Sequence, residues 1–96
     1  MTDIEILTTV EQETAIDRLE MLNRAPYNCL FARYVAIAMM NEEGIENKVI
    51  AKWFCMHPTN VPYALKTISG LLETNKQFKK MYIACGERRV QMEEQV

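Results

Sequence analysis

The sequence is poor in the groups that usually announce a chemistry. Its three cysteines, Cys29, Cys55 and Cys85, are odd in number and widely separated, with no Cys-x-x-Cys pair, so neither a disulfide framework nor a zinc site is indicated. A reducing cytoplasm is the expected home. There is no Gly-x-x-x-x-Gly-Lys-Ser/Thr phosphate loop, which excludes an ATPase of that type. No cluster with metal-ligand spacing and no evident carboxylate pair stands out, so neither an enzyme nor a cofactor is expected. The first ten residues carry acids where a signal peptide needs bases, and the longest apolar run, Tyr34 to Met40, is far too short to span a bilayer. No repeat, low-complexity segment or linker divides the chain.

What is present suits a single small all-α domain. The 96 residues are 49% apolar and 25% charged, an ordinary globular balance near the size at which one core is self-sufficient. The net charge of −2 conceals a segregation along the chain. Residues 1–23 hold six acids against one base, and residues 24–80 hold eight bases against four acids. The middle is therefore mildly basic, which fits a modest footprint on phosphate.

Five helices are predicted. The first starts after Thr8 or Thr9, where Thr8-x-x-Glu11 and Thr9-x-x-Gln12 are capping-box patterns, and sets Ala15, Ile16, Leu19 and Leu22 on one face until Asn23 to Pro26 ends it. The second, about Asn28 to Glu43, has Arg33 as its only charge between Leu30 and Met40, so it must be surrounded by other helices. Asn41 to Gly44 supplies its stop. The third, about Glu46 to Phe54, turns Val49, Ile50, Trp53 and Phe54 inward and Lys48 and Lys52 outward. The fourth, about Thr59 to Thr74, buries Val61, Leu65, Ile68 and Leu72, with Ala64 and Leu71 at its margins. Pro62 tolerates only the first turn of a helix, so a late or irregular start is expected, with His57 and Pro58 in the turn. Asn75 caps the fifth helix, Phe78 and Tyr82 fold it back onto the core, and Gly86 serves as its C-cap before a tail.

The third and fourth helices with their tight turn read as a helix-turn-helix. The runs Ala32 to Met39 (ARYVAIAM), Ile50 to Phe54 (IAKWF), Thr59-Asn60-Val61 and Ile68 to Phe78 (ISGLLETNKQF) resemble the C-terminal DNA-binding domain of the bacterial replication initiator DnaA. The likeness covers roughly residues 24–82. It implies a bundle of about five helices with a Trp-repressor-like helix-turn-helix, and double-stranded DNA as the partner. Where the family carries Asp-His-Thr-Thr-Val, this chain has His57-Pro58-Thr59-Asn60-Val61, matching at Thr59 and Val61. The family's basic loop corresponds to Asn23 to Phe31, with Arg24 as its base.

The candidate DNA contacts follow. Asn60 can pair with an adenine edge, Tyr63 can touch a base or a phosphate, and Lys66 can reach a phosphate. Lys48 and Lys52, four apart on one helical face, can grip another. Arg24, Arg33, His57, Thr59 and Thr67 complete the set. So short a reading surface favours two copies, paired through the first helix or the C-terminal tail, where Met92 and Val96 are spare. The alternative function is a protein-interaction adaptor that keeps the fold and engages a protein through the acidic first helix or the tail.

Overall fold

Residues 1–22 and 27–94 are described by a computed structural model. Among them five helices follow one another: α1 (Asp3–Thr14), α2 (Tyr27–Glu42), α3 (Asn47–Trp53), α4 (Val61–Thr74) and α5 (Lys76–Glu94). Two short 3-10 turns, Glu20–Leu22 and Pro58–Asn60, stand before α2 and α4, and these residues contain no strand. No helix among them is long and apolar enough to cross a membrane.

α2 is the axis of the bundle. Cys29, Phe31, Ala32 and the unbroken run Val35 to Met40 are all buried, because α1, α3, α4 and α5 each pack against this helix. From Leu30 to Met40 only Leu30 and Tyr34 are half-buried, and a helix so apolar is stable only when other helices surround it. Phe78 of α5 closes the core edge-on to Phe31, with ring centroids 5.3 Å apart.

The stop after α2 uses glycine as expected. Gly44 takes φ +77°, and the Ile45 amide bonds the Met40 carbonyl at 3.0 Å, a Schellman closure. The end of α3 repeats the device without glycine. Cys55 adopts φ +53°, and the Met56 amide bonds the Ala51 carbonyl at 3.0 Å.

The first helix departs from its expected bounds. Thr2 is the N-cap: its hydroxyl accepts the Glu5 amide at 3.2 Å while the Glu5 carboxylate accepts the Thr2 amide at 2.9 Å. Thr8 and Thr9 sit inside the helix, where their hydroxyls donate to the carbonyls of Ile4 and Glu5, four residues back. α1 ends at Thr14, and Ala15 is its left-handed C-cap at φ +59°. Ile16 is buried and Leu19 is 73% exposed, so the four residues read as one helical face do not form one. Thr2-x-x-Glu5 matches the same capping pattern, and Asp3 and Glu5 favour the positive helix end there.

At the other end, Gly86 lies within α5 and caps nothing, since the helix continues to Glu94. The continuation is held by α1. Arg88 Nε donates to Glu13 at 2.7 Å, and the Thr9 hydroxyl lies 3.2 Å from the Met92 sulfur. Such pairing between distant segments has no signature in local sequence.

Candidate nucleic-acid interface

α4 starts late, as Pro62 requires, in the first turn of the helix after the 3-10 turn Pro58–Asn60. The turn is fastened from within. His57 Nδ1 accepts the Thr59 amide at 3.3 Å and lies 2.8 Å from Thr59 Oγ1, so these two candidate residues hold each other. Asn60 precedes α4 in right-handed helical geometry, and its side chain makes no capping bond. That leaves the Asn60 amide group, exposed at the tip, uncommitted to the helix end.

Along α4 the buried residues are Val61, Ala64 and Ile68, while Leu65 and Leu72 are only half-buried. The core stripe is therefore rotated toward Ala64 from the expected one. Tyr63, Lys66 and Thr67 face solvent, with Tyr63 72% exposed. The spacing i, i+3, i+4 puts these three on one patch of helix surface. The Thr67 hydroxyl donates to the Tyr63 carbonyl at 3.2 Å. Among the described residues Lys66 enters no ion pair, in contrast to Lys48, whose Nζ is 3.4 Å from Glu46. That pair is 74% and 70% exposed and contributes little to stability.

Beside this patch lies a cleft of about 410 Å³ between α2 and α4. Asn60, Tyr63 and Thr67 line one side, Arg33 and Tyr34 the other, and Leu30, Ile37, Phe54, Met56 and Ala64 give it apolar walls. Arg33 is a buried residue, its guanidinium carbon 5.9 Å from the Tyr34 ring centroid. Four expected contacts, Arg33, Asn60, Tyr63 and Thr67, thus meet at one cleft. Leu30 and Tyr34 of α2 and Met56 of the turn after α3 also line it, and their nearness to α4 comes from the packing of α2 against α4.

Lys52 sits elsewhere, lining a separate depression with Asp3, Val49 and Trp53. Arg24 lies outside the described residues. The acids of the N-terminal segment are engaged within the chain. Asp3 accepts the Trp53 indole N–H at 2.7 Å, Glu11 binds the Arg18 guanidinium through both carboxylate oxygens, and Glu13 accepts from Arg88. The hydrogen bonds from Arg18 hold Glu11 below the ordinary carboxylate range.

Burial pushes the Cys85 thiol up to about 12, and Cys29 is also enclosed, leaving Cys55 as the exposed thiol. Tyr82 is likewise raised to about 12, first by burial and then by its hydrogen bond to Glu42. Among the described residues no three histidine, cysteine or acidic side chains could together hold a metal ion. No protein-family model, curated protein or solved structure matches this chain.

Proposed function

We propose that the chain binds duplex DNA, with α3, the Pro58–Asn60 turn and α4 acting as a helix-turn-helix and the start of α4 entering the major groove. One observation carries the reading: Asn60, Tyr63, Lys66 and Thr67 form a polar, exposed patch on a helix whose opposite side is fixed in the core. Asn60 supplies the donor and acceptor that match an adenine edge, and its freedom from capping keeps both available. Lys66 supplies a phosphate contact. The resemblance to the initiator's DNA-binding domain supports a role in DNA replication, with transcription as the other setting for such a module. His57 and Thr59 shape the turn in this reading and do not read bases.

The test is titration of a random duplex pool at roughly 50 mM salt, followed by selection of the bound sequences. Lys66→Ala should weaken binding to all duplexes and lower the log–log salt slope by about 1. Asn60→Ala should instead cost about 1–3 kcal/mol on the selected site and relax the preference at one base pair. Absence of duplex binding at low salt would overturn the proposal and leave the adaptor reading.

A further inference from the structure

α5 has two faces, and among the described residues the fold uses one of them. Phe78 and Cys85 are buried and Met81, Tyr82, Arg88 and Arg89 half-buried on the inner face. The outer face carries Ile83, 47% exposed, and Val90, 48% exposed, seven residues apart and therefore nearly in line. Both line a shallow groove together with Gly86, Glu87, Gln91 and Arg89, whose guanidinium is paired with Glu42 at 3.1 Å. A methyl group placed on Gly86 would meet nothing within 4 Å, so none of the described residues covers the groove at Gly86.

Apart from Arg89, which Glu42 pairs, the charges along that face are sorted by sign. Lys76, Lys79 and Lys80 precede Ile83, and Glu87, Glu93 and Glu94 lie beyond it, all exposed. We infer that this face binds the same face of a second copy, with the two α5 helices antiparallel about Gly86 and Glu87. In that arrangement Ile83 meets Val90 of the second copy, and Lys79 and Lys80 meet its Glu94 and Glu93. Each charged pair lies about 10 Å from the centre along the helix. A parallel arrangement would set lysine against lysine and glutamate against glutamate, which the same electrostatics disfavours. Gly86 lets the helix backbones approach closely at the crossing. One self-complementary patch generates a closed two-fold pair. Two apolar side chains per copy make it a small contact of the transient class, below about 1,200 Å² in total. The second copy is therefore held by the outer residues Ile83 and Val90, while Met92 serves α1. The inference concerns the free protein and does not depend on DNA binding.

Sedimentation equilibrium of the wild-type chain at low salt should show a monomer–dimer equilibrium that shifts toward monomer as salt is raised. Lys79→Glu with Lys80→Glu, and separately Glu93→Lys with Glu94→Lys, should each give monomers with unchanged helical circular dichroism. An equimolar mixture of the two variants should restore a dimer containing one of each. A wild-type chain that stays monomeric at roughly millimolar concentration would overturn the inference. So would variants that dimerise like wild type, or a mixture that fails to associate.

Discussion

Cys55 shows how much a single residue can tolerate when its neighbours determine the backbone. It occupies the left-handed position that ends α3, the position that Gly44 fills after α2. A side chain with a Cβ is disfavoured there by about 1–2 kcal/mol, while glycine loses roughly 0.5–1 kcal/mol more backbone entropy on folding. Cys55→Gly should therefore stabilise the protein by about 0.5–1 kcal/mol. In urea denaturation the midpoint should rise without a change in slope. Asn60 shows the converse case, since composition alone allows it to be a cap or a contact. The backbone before α4 leaves its side chain without a capping bond.

Among the elements, α1 and α3 are joined by a small polar latch. Trp53 of α3 donates to Asp3, and the Arg18 guanidinium carbon lies 5.9 Å from the Trp53 ring centroid, held there by Glu11. Because folding lowers the Glu11 pKa, its contribution is fully present above the unfolded value, ordinarily 4.5, and is lost as pH falls through the lower folded value. Trp53 fluorescence should therefore change on acidification below about 4.5 as the latch loosens. Glu11→Gln should remove that component of the titration, and an unaltered curve in the variant would count against the latch. The helix set was legible in the sequence: the bounds of the second, third and fourth helices followed from Gly44, Pro62 and the apolar spacing. α1 was misplaced because Thr2, Thr8 and Thr9 all begin capping patterns, and only contact with the rest of the fold distinguishes them. Gly86 was misread because glycine is also tolerated inside a helix, at a cost of about 1 kcal/mol relative to alanine.

For the whole molecule, stability rests on the enclosure of α2. Phe78 is fully buried against Phe31 where α5 returns to the core. Phe78→Ala should cost about 3–5 kcal/mol, enough to bring a domain of this size close to unfolding at 37 °C. Thermal denaturation by circular dichroism measures it directly. A loss below about 1 kcal/mol would mean that α5 contributes little to the core.

The sequence by itself determined an all-α chain with a central apolar helix, the stop at Gly44 and the delayed start of α4 at Pro62. Those are consequences of local backbone sterics and of hydrophobic periodicity, which neighbouring residues encode. Tertiary structure alone decided that Arg33, Asn60, Tyr63 and Thr67 share one cleft and that Lys52 lines another. It also decided that the acids Asp3 and Glu13 are engaged by Trp53 and Arg88, and that the described residues leave one face of α5 uncovered. These facts depend on which distant segments meet, and pairwise contact between segments tens of residues apart leaves no mark on local spacing.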